Sequence, residues 1–473
     1  MAIHIKTIKG REYAYDVVSY WDKELKKRKK KTVYMGRVID KENGVYEKLN
    51  NHSDNFQKSL ILNFGDTFII NSHFGKSPFY GVFSSILPEY TDTLMCLIYY
   101  KLLKSSAMRY ADTWFNGNYA CVLHKNADLS SQRISDFLKK LGEEEIWRVF
   151  FKEYLERIVG SKTGIIVDST GLPNEIDFPL TAWGHHGGET ERETRLLMVV
   201  EKESGMPLYF RYMAGNIVDV TTLTITVAEL AKMGVNTAFA LIDAGYYSEE
   251  NVKNLFSSGI SFLTRLPAGR RLYKDLINTH SDDLETAENA IVYGKRMLYV
   301  KPVPIDLFGN PAFAYVICDV KRKAEETTKF IISAKEDKMG IDEINKSLIF
   351  KGKLIIISSV KIPPNEILPL YYTRQQAENL FGIAKSFLEI LPLRIHSIET
   401  FRGYLLLNFL SLVVYLGLKK DLLEKYTVEC ALTEMNNLMC KVFDGELLVC
   451  EPTKKMKEIS ALLGVGVPNS VGV

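Results

Sequence analysis

Two short apolar runs, GIIVDSTG (164–171) and AFALIDAG (238–245), each end in an aspartate followed by small residues. Between and after them stand RLLMVVEKESGMPLYFRYM (195–213), which reads as two alternating strands joined by a Gly-containing turn, a helix over 219–232, a helix from Ser248 and the strand ISFLTRL (260–266). The order β-β-β-α-β-α-β predicts a mixed sheet with helices, a mixed α/β (α+β) core. From Ala268 to Ser347 the pieces AIVYGKRMLYV, AYVICDV and KFIISA are separated by charged turns and predict an inserted β-rich subdomain. The chain then returns to an apolar strand, LIIISS (354–359), and to long helices over 363–420.

The N-terminal end has a different texture. EYAYDVVSYW (12–21) and TVYMGRVI (32–39) flank the run Lys26, Lys27, Arg28, Lys29, Lys30, Lys31. This pattern predicts a β-hairpin with a basic tip, either a solvated turn that protects an edge or a finger that grips nucleic-acid phosphate. The net charge of the chain is only +3, yet residues 1–50 hold 13 Lys and Arg against 7 Asp and Glu, so the basic excess is concentrated there. A polyanion would be sought at that end. Leu87 to Ile158 shows helical periodicity, and LSSQRISDFLKKLG (129–142) carries Gln132, Arg133 and Lys139 among apolar anchors, as a groove-binding helix or any amphipathic surface helix would.

At 473 residues, with 46% apolar and 25% charged residues, the chain is long enough for two to four folded domains. The boundaries expected are an N-terminal β-rich basic DNA-binding region (1–75), a helical DNA-binding domain (76–160), the first part of the core (161–267), the β-rich insertion (268–350), the second part of the core (351–425) and a C-terminal helical region (426–473). Six scattered cysteines without a CxxC pair suggest reduced thiols and no zinc site. The apolar run Tyr404 to Leu418 is interrupted by Asn408 and Ser411 and is shorter than a membrane span requires, and the first residues lack a signal-peptide core. The expectation is a cytoplasmic protein without a membrane anchor.

Asp168 and Asp243 each stand at the end of an apolar strand, where ligands collect in mixed sheets; either one taken alone is more commonly a turn former. Two such carboxylates on neighbouring strands would repel, and a divalent cation with oxygen ligands relieves that repulsion. A third carboxylate comes from the helix after LIIISS. Tyr371, Arg374, Glu378 and Lys385 are spaced 0, 3, 7 and 14 residues, which at ~100° per residue places them on one stripe about 60° wide. Pro369 suits the first position of that helix.

The spacing Tyr371-x2-Arg374-x3-Glu378-x6-Lys385 resembles the Tyr-Arg-Glu-Lys signature of bacterial insertion-sequence transposases with a DDE catalytic triad. Asp168-Ser169-Thr170 matches the family's Asp-x-Thr context, Asp243-Ala244-Gly245-Tyr246 its Asp-x-Gly-aromatic context, and Gly215, Asn216 and Asp219 its Gly-Asn-x-x-Asp element. YWDKELKKRKKKTVYMGRV resembles the β-hairpin opening of one branch of the family, so the likeness covers nearly the whole chain. One departure is GHHGGETERETR (184–195), longer and more acidic than the family turn, which reads as a surface loop with no role assigned to His185 or His186.

The resemblance implies a ribonuclease-H-like core in which Asp168, Asp243 and Glu378 hold two Mg²⁺ or Mn²⁺ ions, as two-metal phosphodiester chemistry requires. It implies that Arg374 and Lys385 contact phosphates, that Tyr371 stacks on a base or bonds a phosphate, and that Lys26 to Lys31 contact DNA. It further implies double-stranded DNA substrates (element ends and target), cut-and-paste transposition through hairpin ends, a flipped base for which Trp183 is a candidate, and at least a homodimer at synapsis. The helices from Phe401 to Cys440 either make protein contacts or pack in the core. The alternatives are a metal-dependent nuclease of the same fold without strand transfer and a catalytically silent DNA-binding regulator.

Overall fold

The computed structural model describes residues 2–8, 11–22, 27–41, 44–47, 61–104, 106–186, 189–217, 219–393, 395–443 and 446–472. Two compact units make up the chain: residues 1–69, 117–122 and 431–473 form one, and residues 70–116 and 123–430 the other.

The first unit opens with an antiparallel sheet of β1 (Ala2–Ile8), β2 (Arg11–Asp22), β3 (Lys27–Asp40) and β4 (Val45–Glu47) in that order. The predicted hairpin is the β2–β3 pair, but its basic run is not a tip. Residues 27–31 are the first part of β3, in register from Asp22↔Lys27 to Val18↔Lys31; Lys26 lies outside the described residues. Because β4 pairs only with Arg37, Val38 and Asp40, residues 27–31 have a partner on one side alone among the described residues. A strand edge dense in lysine resists pairing with another chain, so the charges suit an edge as well as a turn.

The second unit is built on a ten-stranded sheet. After β5 (Ile61–Asn63), which belongs to the first unit, its strands are β6 (Thr163–Pro173), β7 (Ala182–His186), β8 (Glu189–Glu201), β9 (Pro207–Ala214), β10 (Thr237–Ile242), β11 (Ser261–Arg265), β12 (Ala290–Tyr293), β13 (Arg296–Leu307), β14 (Asn310–Asp319) and β15 (Lys353–Ser358). The order is β12-β13-β14-β15-β11-β10-β6-β8-β7, with β9 also on β8. Within it, β9-β8-β6-β10-β11 has the ribonuclease-H-like arrangement: three antiparallel strands, then two strands parallel to the first and reached through helices. Residues 184–186 and 189–195 are strand rather than surface loop, with Trp183 opposite Arg192 and Gly184 opposite Glu191.

The insertion differs from its β-rich expectation. It adds β12, β13 and β14 to the edge of the same sheet, and it also carries the helices Arg271–Leu284, Val320–Glu336 and Ile341–Leu348. KFIISA lies inside the second helix. Asp319 caps that helix by accepting from the Arg322 backbone N–H, and an Arg322–Glu326 pair one turn apart supports it, local signals that outweigh the β-branched tail.

Helices Thr91–Leu103, Ser131–Leu141 and Glu144–Ile158 form where periodicity predicts them. Ser131–Leu141 buries Ile134, Phe137, Leu138 and Leu141, and it closes on the helix Ile398–Asp421 where Gly142 and Gly403 meet. A Cβ on Gly142 would stand 1.8 Å from the Glu399 carbonyl oxygen, and one on Gly403 1.9 Å from that of Leu138, so neither position admits a side chain. Ile398–Asp421 is long and apolar enough to cross a membrane, but 83% of its apolar stretch is buried in protein. Its Phe409 packs against Phe150, Phe151, Tyr154 and Phe210. Of the two expectations for 401–440, core packing describes this helix.

Lys101 is buried in this core, its Nζ 3.4 Å from the Glu389 carbonyl and 5.4 Å from the Tyr404 ring centre. Burial pulls its ammonium down to about 8, with Glu389 partly offsetting this. Between pH 8 and 10.5 the unfolded chain holds more protons at this lysine than the folded one, so stability rises with pH there and the penalty is complete below pH 8. Lys101→Met should therefore stabilise the protein at pH 7 by about 2 kcal/mol, allowing for the lost hydrogen bond, with the gain fading by pH 10 in denaturant titrations.

The C-terminal region is not purely helical. Helix Lys454–Leu462 stands among β16 (Met439–Phe443), β17 (Glu446–Val449) and β18 (Ser470–Gly472), which form a sheet with β5 in the order β18-β17-β16-β5. Strands of three to five residues whose partner β5 lies more than 370 residues upstream leave almost no local signature.

Candidate active site

Parallel pairing of β6 with β10 places Ile242 opposite Val167. The next residues are Asp243 and Asp168, so the sheet register alone brings the two carboxylates side by side. The third element is not one helix beginning at Pro369. A helix runs from Pro364 to Tyr372 with Pro369 inside it, tightens through Thr373 and Arg374, restarts over Gln375–Gly382 and widens to a π turn over Ile383–Phe387. Pro364 takes the first-turn position that Pro369 was expected to fill.

These breaks do not scatter the four candidate residues. Arg374 reaches all three carboxylates: Nη1 is 3.0 Å from Asp168 Oδ2, Nε 3.7 Å from Asp243 Oδ1, and Nη2 2.6 Å from Glu378 Oε1. Lys385 Nζ donates to Thr170 Oγ1 at 2.7 Å. Tyr371 is buried, and burial followed by the Asp243 charge pushes its phenol up, with Arg374 pulling the other way. Tyr371, Arg374, Glu378 and Lys385 thus face Asp168, Thr170 and Asp243.

Electrostatics makes this cluster unbalanced. Three carboxylates share one guanidinium. Burial pushes Asp168 up to about 7; Arg374 lowers it, and Asp243 and Glu378 raise it again. Burial works against the charge on Arg374, but Asp243, Asp168 and Glu378 more than restore it. Burial also pulls Lys385 down, and the Glu193 carboxylate opposes that fall.

Among the described residues, no three His, Cys, Asp or Glu side chains converge closely enough to cage an ion on their own, because the guanidinium sits where the acids meet. The donor set nevertheless fits a hard divalent cation. All three groups are oxygen donors, and their excess negative charge is what such an ion neutralises.

One carboxylate escaped the sequence reading. Glu193 of β8 is 3% exposed and fills the space that side chains at two glycines would need: a Cβ on Gly171 would lie 1.7 Å from Glu193 Oε2, and one on Gly184 2.2 Å from Oε1. Its signal was the excess acidity of 184–195, legible only once that segment is placed beside β6. Trp183 is 66% exposed in β7, and the side chains of His185 and His186 lie outside the described residues.

Residues 160–414, more than half of the chain, match the family model described as the transposase DDE domain. The chain belongs to the transposase DDE domain family. The match takes in Asp168, Asp243, Glu378 and Lys385, the whole insertion and most of the Ile398–Asp421 helix. A solved structure similar to this chain is the cryo-EM piggyBac transposase synaptic complex with hairpin DNA, at 10% identity and a TM-score of 0.45, covering 79% of this chain and 80% of that one. No curated protein matches the chain. Membership in the transposase DDE domain family fits the mixed α/β core and the acidic cluster at its strand ends.

Proposed function

We propose that this protein is the DNA transposase of an insertion sequence, which binds terminal inverted repeats, cleaves phosphodiester bonds there and joins the freed ends to target DNA by a cut-and-paste route. The observation that carries the reading is the meeting of Asp168, Asp243 and Glu378, from two strand ends and one helix, around Arg374. These three carboxylates would hold two Mg²⁺ or Mn²⁺ ions, which supply an activated water and stabilise the leaving oxygen.

The chain's own residues contribute the rest. Asp168, buried and pushed up to about 7, can hold a proton near neutral pH when no cation is near. Arg374 and Lys385 bind and orient substrate phosphate; Arg374 presents a planar set of donors and Lys385 a point charge anchored on Thr170. Tyr371, buried beside Arg374, fixes the orientation of the guanidinium more than it contacts a base. Synapsis of two ends calls for a homodimer or larger, acting on nucleoid DNA in a bacterial cytoplasm.

Incubation of the full chain with Mg²⁺ and linear DNA carrying the element's terminal repeats, resolved on native and denaturing gels beside Asp168→Ala, tests the reading. Hairpin-ended or strand-transferred products that vanish in the variant are expected. End binding without cutting in either Mg²⁺ or Mn²⁺ would leave a silent DNA-binding regulator, and cutting without transfer a nuclease.

A further inference from the structure

The pleat of the N-terminal sheet sorts its side chains in a way that the basic run alone does not show. In β2, Tyr13, Tyr15 and Trp21 are separated by even steps and so share one face. Their partners across the ladder are Arg37, Tyr34 and Arg28, while Lys30 stands opposite Ser19 on the same face. From β1, Lys6 pairs with Tyr13 and lies 5.3 Å from the Tyr15 ring centre. The rings cluster: Tyr34 is 6.2 Å from Tyr13 and 5.5 Å from Tyr15, and Trp21 stands apart, 59% exposed.

The opposite face carries Ile3, Val18 and Val33, the acids Glu12 and Asp16, and the cation Lys27. Cations therefore lie on both faces, and what distinguishes the first is its group of four aromatic rings, Tyr13, Tyr15, Tyr34 and Trp21, beside Lys6, Arg28, Lys30 and Arg37. A bare basic stripe suffices to hold duplex phosphate. Exposed rings interleaved with cations serve something more: rings stack on bases, and bases offer their faces only when unpaired.

We propose that this face of the β1–β4 sheet binds single-stranded nucleic acid, with Trp21 as the exposed stacking platform and Lys6, Arg28, Lys30 and Arg37 as the phosphate contacts. The inference rests on the DNA-binding reading above and narrows it, since a strand freed at a cut end is the substrate such a face fits. Charge complementarity commits the surface to a polyanion, and the rings commit it to unpaired bases.

Fluorescence anisotropy of the full chain in EDTA, with dT20, rU20 and a 20-base-pair duplex of unrelated sequence, tests this independently of cleavage. Trp21→Ala should weaken dT20 or rU20 binding about tenfold, the loss of one stacked base, and leave duplex binding within twofold. Whichever oligomer binds tighter identifies the source as DNA or RNA. Arg28→Ala with Lys30→Ala should reduce the salt slope for the single strand by about 1.4. Trp21→Phe should restore binding, which separates stacking from misfolding, and Val33→Ser on the opposite face should change nothing. Equal losses for duplex and single strand on Trp21→Ala, or no loss for either, would overturn the single-strand assignment while leaving end recognition and cleavage standing. Loss of cleavage in the Asp168 variant with single-strand binding intact would bear on the catalytic reading alone.

Discussion

Glu378→Gln should abolish metal-dependent cleavage of element ends, by about 10³-fold or more, while end binding stays within about twofold. The substitution keeps the shape of the side chain and removes one of the three charges that meet at Arg374. An ion that has lost a ligand charge gives up several kcal/mol of charge stabilisation, and each 1.36 kcal/mol is tenfold in rate. Folding should be unaffected, because the Glu378 side chain is 49% exposed and an amide there can still bond water and accept from Arg374. Cleavage assays at matched enzyme and DNA concentrations, beside a binding titration in EDTA, separate the two effects. Cleavage within tenfold of the parent would remove Glu378 from the triad and leave the acidic cluster a structural ion-pair network.

The convergence of the candidate residues was legible because each rests on a local rule. A strand-terminal aspartate needs only an apolar run before it, and the parallel register of β6 and β10 then does the rest. The stripe from Tyr371 to Lys385 is more instructive, since its premise, one regular helix, is wrong. Tightening at Thr373–Arg374 turns the chain more per residue than an α-helix, and the π turn at Ile383–Phe387 turns it less. The two deviations have opposite sign, so Lys385 still arrives over Thr170. What could not be read from the sequence was non-local: the pairing of β5 with β16, the closeness of Glu193 to Gly171 and Gly184, and the helical fate of KFIISA, which depends on a cap at Asp319 ten residues earlier.

The role of Arg374 as counter-ion leads to the second large effect. Arg374→Met leaves Asp168, Asp243 and Glu378 facing one another with no cation among them. Removing one partner of a buried ion pair costs about 3 to 5 kcal/mol, and only the Asp168 contact is well buried here, so a loss of about 3 kcal/mol is expected in EDTA at pH 8. The pH dependence follows from Asp168. Its carboxyl is already raised in the folded protein, and it rises further without Arg374. A carboxyl raised on folding contributes stability at acid pH that is lost as pH climbs through the folded value. The variant's deficit should therefore shrink at pH 5, where Asp168 is protonated, and grow toward pH 8. Added Mg²⁺ should recover more stability in the variant than in the parent, because a cation bound to the folded state alone stabilises it and here meets no competing guanidinium. Urea titrations at both pH values, with EDTA or Mg²⁺, decide the matter. A deficit that is the same at pH 5 and pH 8 and indifferent to Mg²⁺ would mean that Arg374 acts through packing, and the carboxylates would then have to be balanced by some other group.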